Sequence, residues 1–405
     1  MNIKNIKSEF PMFKQKINGK PLVYLDSANS SQKPKVVIDR LSNFYETEFS
    51  NVGRSVHTLA VKATNRFEAT RDMLKRYLNA KHREEIIFTK GATESINLVA
   101  SSFGEKYINE GDEILTTELE HHSNYVPWHF LRKNKGAVIK FAPINKNGEV
   151  EIDEIKKLIS DKTKIIAVTH ISNVTGAVMP IKKIVDIAKE KNIPVLVDGT
   201  QGAPHLEIDM QDIGCDFYAI SCHKMYGPNG LGILYAKKKW LDDLPPYQGG
   251  GGMIDDVTKD SISFADAPTK FEAGTMQTAE VVAFSEAINF IEKLGIKNIA
   301  AHENDVLEYG YEKLQKNNSI NIIGSPKNRG SVLCFTIKGI HPHDIATILD
   351  DEGVAIRAGH HCCQILHDKL GIAATARASI GVYNAKEGID ILCKAIDNCK
   401  KIFQI

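Results

Sequence analysis

The chain has 405 residues, 42% hydrophobic and 25% charged, which is ordinary globular usage and enough for two or three packed units. A formal net charge of +1 argues against a polyanion as the main partner, since nucleic-acid binders gather a basic excess on one face. The lysines near the start are followed by no apolar block, and no stretch approaches the roughly 20 apolar residues of a membrane span, so a soluble, cytoplasmic protein is expected.

An N-terminal arm, residues 1–20, leads into P-L-V-Y-L-D-S-A-N-S-S-Q-K-P, a short strand and polar turn. A long amphipathic helix is predicted over 57–79. The run E-E-I-I-F-T-K-G-A-T-E-S-I-N then passes from strand through a glycine turn into a helix that begins near Ala92 and Thr93. Backbone N–H groups at such a start suit a phosphate, although a plain helix start reads the same way. Further strands, E-I-L-T-T, A-V-I-K-F-A-P, K-I-I-A-V-T-H, P-V-L-V-D, D-F-Y-A-I-S and L-G-I-L-Y-A, alternate with helical stretches such as 181–191. That alternation predicts an α/β fold with a mostly parallel sheet and helices on both faces.

Two of these apolar runs end in polar residues, placing Asp198, Gln201, Ser221, His223 and Lys224 at the strand ends where open α/β sheets bind ligands. A lysine flanked by Ser, His and Gly is a candidate Schiff-base residue, and an upstream aspartate a candidate partner for a pyridinium nitrogen. Together they suggest pyridoxal phosphate. Residues 241–275 break the pattern, and their tetraglycine, 249–252, reads by default as a flexible loop. A helical region over 279–315 precedes a smaller α+β unit, with a helix over 343–352 and a final one over 385–402. The expected division is an arm (1–20) packing with the small domain, a large cofactor domain (21–290) and a small C-terminal domain (291–405).

The small unit holds R-A-G-H-H-C-C, residues 357–363. Adjacent His and Cys ligands diverge and no spaced second pair exists, so no metal site is expected. The readings left are a thiol activated by Arg357, His360 and His361, or a small buried hydrophobe. Seven cysteines without a C-x-x-C pair favour reduced thiols.

The motifs G-A-T-E-S-I-N, E-H-H-S-N-Y-V-P-W, H-I-S-N-V-T-G, V-D-G-T-Q, S-C-H-K-M-Y-G-P-N-G-L-G, F-E-A-G-T and R-A-G-H-H-C occur in this order. Through them nearly the whole chain resembles the SUF-type, or group II, cysteine desulfurases, class V aminotransferase-like members of the fold-type I pyridoxal phosphate enzymes. The resemblance implies a seven-stranded-type sheet domain and a role for each motif residue. Lys224 would bind the cofactor covalently, Asp198 hold its pyridinium proton, Gln201 bond its phenolic oxygen and His121 stack on its ring. Ala92, Thr93, Ser221 and His223 would grip the phosphate, with Thr275 reaching the phosphate of a neighbouring subunit in a homodimer. Asn173 and Arg377 would clamp the substrate carboxylate with Arg357 close by. Cys362 would accept sulfur from L-cysteine as a persulfide, release alanine, and pass the sulfur to a SufE- or SufU-type acceptor for iron-sulfur cluster assembly.

The chain departs from that pattern in places. N-V-G-R-S puts Gly53 where the family has a histidine, Cys222 replaces a glycine beside Lys224, and Cys363 follows the expected nucleophile where a small residue is common. The alternatives to desulfuration are a selenocysteine lyase, a class V aminotransferase with the same lysine and aspartate, and a non-catalytic scaffold of the assembly machinery.

Overall fold

The computed structural model describes residues 1–53 and 55–405; Arg54, within the divergent N-V-G-R-S segment, lies outside the described residues. Seven strands form the main sheet in the order Ile86–Thr89, Gly232–Ala236, Phe217–Ser221, Val195–Asp198, Thr163–Thr169, Glu113–Thr117, Val138–Ala142. The last five run parallel, and Gly232–Ala236 is antiparallel to both its neighbours. Val195–Asp198 and Phe217–Ser221 are buried at every position, which is why they read as unbroken apolar runs rather than alternating ones.

Helices cover both faces. The helix Ile181–Glu190 buries Ile181, Ile184, Val185 and Ala188, one stripe at the spacing of a 3.6-residue turn, and each larger side chain there contributes about 2 kcal/mol by leaving water. The helical region of the sequence is two helices, Thr278–Leu294 and Ile296–Gln315, parted at Gly295, whose φ of 78° ends the first. Residues 241–275 differ from expectation. They hold an antiparallel hairpin, Ile254–Val257 with Ile262–Phe264, almost fully exposed, so no burial pattern marks its strands in the sequence. The tetraglycine is tied beside it, with Gly274 N–H donating to Gly251 O at 2.8 Å.

A second sheet, antiparallel throughout, has the order Ile320–Ile322, Val332–Ile337, Thr375–Ser379, Arg357–Gly359. Beside it Val23–Tyr24 pairs in parallel with Val354–Ala355, so the chain's start is stitched to its C-terminal part. Phe10 of the arm is buried against Tyr226, Phe290 and Tyr383. Among the described residues no helix is long and apolar enough to cross a membrane.

Candidate active site

The carboxyl ends of the parallel strands open onto a cavity of about 190 Å³ lined by Thr93, His121, Asn173, Asp198, Gln201 and Lys224 among others. One end of it is built for an anion. The helix Ala92–Tyr107 starts there without a side-chain cap from Gly91, so its positive end faces the cavity. Ala92 N–H donates to Ser221 Oγ at 2.9 Å, and Thr93 Oγ1 and Ser123 Oγ are 2.9 Å apart. His223, beside them, is brought down to about 4 by burial and the nearby Lys224 and Lys33, and is neutral near pH 7. It forms the middle of the single turn Cys222–Lys224 that follows the strand Phe217–Ser221.

Lys224, at the end of that turn, is the electrostatic centre. Burial first, then the Arg377 cation, bring it down to about 8. Asp198, Cys362 and Cys363 oppose the shift. Asp198 is 4% exposed and accepts the Thr200 N–H at 3.0 Å. His121 is brought down to about 3, mainly by burial and then by Lys224, so it is a neutral imidazole. Ser123 N–H donates to its Nδ1 at 3.1 Å, which leaves the ring proton on Nε2. Gln201 donates from Nε2 to Ala28 O at 2.7 Å, fixing its amide in the cavity wall.

Arg377, from the second sheet, is buried. It donates from Nη1 to Asn173 O at 3.1 Å and from Nη2 to Asp26 Oδ1 at 3.4 Å, while its Nε is buried without a partner. The Nε–Nη2 edge of the guanidinium is thus weakly occupied, the arrangement that receives a planar carboxylate. Arg357 is half exposed and pairs with Asp26 Oδ2 at 3.7 Å; Arg357, Arg377 and Cys362 all lie outside the cavity lining itself. Thr275 is exposed and also outside the cavity of its own chain.

Cys362 is the exposed cysteine of the cluster, whereas Cys363 is buried. His361 and Cys362 both have left-handed backbones, φ 53° and 56°, which side chains with a Cβ rarely adopt and which other contacts must hold. Asn173 Nδ2 donates to His361 O at 2.8 Å, and the Cys363 thiol donates to Asn173 Oδ1 at 3.0 Å. His122 N–H donates to Cys362 O at 2.7 Å, and Gln364 N–H donates to His122 Nε2 at 3.2 Å. Asn173, expected only at the substrate, therefore also anchors the thiol-bearing turn. The turn is bound to the main sheet domain on two sides.

Several contributors carry no local signal. Thr200 lines the cavity with a buried, unpartnered hydroxyl. Glu120 lies beneath the site, raised to about 8 mainly by burial and in part by Asp198, and accepts from Thr117 Oγ1, Asn124 Nδ2 and Thr169 N–H at 2.6, 2.6 and 3.0 Å. It fixes the backbone just before His121. Asp26 sits between the two arginines, and only its place in Y-L-D-S-A-N hints at a role. Gly53 is not in the cavity wall; its N–H donates to Thr64 Oγ1 at 3.1 Å.

Residues 23–392 match the family of class V aminotransferases. A probable cysteine desulfurase of Staphylococcus epidermidis is 49% identical over 99% of this chain and 98% of its own length. One from Halalkalibacterium halodurans is 46% identical over 100% and 99%. Among solved structures, the cysteine desulfurase CsdA of Escherichia coli superposes with a TM-score of 0.92 at 34% identity, covering 99% of each chain. The apo cysteine desulfurase of Thermococcus onnurineus superposes at 0.93 and 33% identity over 98% of each.

Proposed function

The chain belongs to the class V aminotransferase family and within it to the cysteine desulfurases, and from that premise we propose that it is a pyridoxal phosphate-dependent enzyme of the SUF type that turns L-cysteine into L-alanine and a persulfide on Cys362. One observation carries this reading: a half-buried amine, Lys224, shares a cavity with Asp198 and neutral His121, and a turn bearing an exposed thiol is tied to the wall of that same cavity.

The residues present fit pyridoxal phosphate. The uncapped helix start with Ser221, Thr93 and His223 suits its phosphate, Asp198 its ring nitrogen, Gln201 its phenolic oxygen, and Lys224 its carbonyl carbon. The unpartnered Thr200 hydroxyl marks a polar position that the protein leaves open. When bound, the cofactor supplies an electron sink that stabilises negative charge at the substrate α-carbon.

The chain's own groups do the rest. The Nε–Nη2 edge of Arg377 takes the substrate carboxylate, and the second hydrogen of Asn173 Nδ2 adds to that clamp. Lys224, poised at about 8, exchanges protons with the α-carbon at little cost near neutral pH. His121 Nε2–H is a neutral donor over the same cavity. Cys362 Sγ, as thiolate, bonds to the substrate sulfur while the substrate C–S bond breaks. The carbon fragment takes up a proton and leaves as alanine, and Cys362 carries both sulfurs.

The same proposal covers a homodimer, a SufE- or SufU-type sulfur acceptor serving iron-sulfur cluster assembly, a cytoplasmic location, and the division into an arm (1–20), a large domain (21–290) and a small domain (291–405). The dimer is supported by Thr275, exposed and outside its own cavity, and by large apolar side chains exposed along 36–61, Phe49 at 54% and Val56 at 93% among them.

The test is to incubate the protein with L-cysteine and pyridoxal phosphate, quantify alanine and sulfide, and map persulfide by mass spectrometry. Equal alanine and sulfane sulfur, with sulfur on Cys362, is expected. Cys362→Ala should keep the cofactor absorbance and lose the persulfide; Lys224→Ala should lose the absorbance. A new amino acid made from added keto acid, without sulfide, would identify an aminotransferase instead.

A further inference from the structure

The turn bearing Cys362 is held at three successive carbonyls. His361 O and Cys362 O are taken by Asn173 and His122 as described, and His367 Nδ1 lies 2.9 Å from Cys363 O. Behind this third anchor stands Thr375, fully buried on the strand Thr375–Ser379. Its Oγ1 lies 2.9 Å from His361 Nε2 and 3.0 Å from His367 Nε2, and the Cys334 thiol donates to it at 3.0 Å.

Counting protons fixes the state of this cluster. A carbonyl only accepts, so His367 Nδ1 carries hydrogen. Burial favours the neutral form of His367, so its Nε2 is bare and takes the one hydroxyl proton of Thr375, whose other acceptor within reach, Gly359 O, lies farther off at 3.4 Å. The two lone pairs of Thr375 Oγ1 then accept from His361 Nε2–H and Cys334 S–H. This leaves His361 Nδ1 bare, and that nitrogen is buried without a partner. An orphaned buried acceptor beside two left-handed residues is a cost that needs a reason.

We propose that Thr375 is a positioning residue for Cys362: its hydroxyl selects the tautomer of His361 and, together with Cys363 O, that of His367, and so holds the turn in its left-handed form, from which Cys362 takes sulfur. This rests on the reading of Cys362 as the sulfur acceptor. Thr375→Val removes the hydroxyl at nearly constant shape, and Thr375→Ser keeps it. In single-turnover experiments with the holoenzyme, Thr375→Val should slow persulfide formation on Cys362 about tenfold or more, through misplacement of the nucleophile, with the KM for L-cysteine and the cofactor absorbance unchanged. Thr375→Ser should recover most of the parental rate. A Thr375→Val enzyme that forms persulfide at the parental rate overturns the proposal.

If the parent protein makes no alanine, the desulfurase reading fails instead. Alkylation of Cys362 by iodoacetamide still decides this inference, because Thr375→Val should change its rate and Thr375→Ser should not; equal rates in all three proteins sink it. Should Thr375→Val lose its cooperative melt, His367→Asn and His367→Gln replace it. Asn retains a donor at the place of Nδ1 and Gln at that of Nε2, so His367→Asn should form persulfide, or alkylate, more like the parent; identical behaviour of the pair counts against the proposal.

Discussion

At the scale of single residues, the site works by setting protonation states through burial. Lys224 sits at about 8 because burial and Arg377 disfavour its charge; below that pH the ammonium has no lone pair, and above it the amine is free. Uptake of pyridoxal phosphate by the apoprotein, followed by absorbance, should therefore quicken as pH rises and level off above about 8. Arg377→Met removes the repelling cation, so the midpoint should move up; a midpoint that stays put would show that burial alone sets it. Arg377→Lys keeps the charge but loses the flat two-nitrogen edge, and should raise the KM for L-cysteine by about tenfold or more while the cofactor absorbance persists. An unchanged KM in steady-state kinetics would move carboxylate binding to Arg357. Lys224 and Asp198 were legible in the sequence because each sits at the end of a buried strand, Asp198 closing Val195–Asp198 and Lys224 one short turn past Phe217–Ser221. Glu120 and Thr375 were not, since their meaning comes from partners that only the folded chain brings within hydrogen-bonding distance, and Thr200 was not, since only the folded cavity shows its hydroxyl to be buried without a partner.

Among the elements, two contacts set where the anion end of the cavity lies. Gly232 opens a strand at the close approach to Gly91, where a Cβ would fall 2.4 Å from Gly91 Cα. Gly232→Ala must push the start of the helix Ala92–Tyr107 away, and should weaken pyridoxal phosphate binding about tenfold by equilibrium titration, because backbone N–H groups bind phosphate only at close range. The second contact is a buried ion pair. Arg71 donates from Nη1 and Nη2 to Glu272 at 2.8 and 2.9 Å and from Nη1 to Ile86 O at 2.6 Å, and Glu272 accepts the Phe88 N–H at 2.7 Å. It joins the helix Thr58–Tyr77, the edge strand Ile86–Thr89 and the F-E-A-G-T loop. Glu272→Gln leaves the buried guanidinium with the part-exposed Glu68, 3.1 Å from its Nε, as its one remaining counter-charge, and should cost about 1–3 kcal/mol in urea unfolding; a loss within ~0.5 kcal/mol, typical of surface sites, would show that the pair is dispensable. F-E-A-G-T was legible as a motif and Thr275 was read as its point, yet the buried work falls to Glu272. The exposed hairpin that precedes it was missed because burial is what writes a strand into a sequence, and its strands have almost none.

Across the whole molecule, the two sheets divide the chemistry. The main sheet ends in groups suited to bind the cofactor, and the second sheet carries Arg377 and leads into the Cys362 turn, so in the proposed reaction the outcome is chosen where the two meet. Lys224 and Cys362 are far apart in sequence, and nothing local signals that Asn173 and His122 would clamp the turn between them. Thr275 belongs to neither group within one chain, which is what a role in the proposed dimer requires. Among the apolar side chains exposed along 36–61, Tyr45 at 53% and Phe49 at 54% lie with their rings 5.3 Å apart, a surface of the kind that partner subunits cover. Tyr45→Glu combined with Phe49→Glu places two charges on that face and should yield monomers by analytical ultracentrifugation with the fold intact by circular dichroism. If Thr275 completes a partner's phosphate site, those monomers should also bind pyridoxal phosphate more weakly, and Thr275→Val in the dimer should show the same loss. A monomer that binds as tightly as the parent would separate assembly from the site and leave each chain's own helix start, Ser221 and His223 as its whole anion grip.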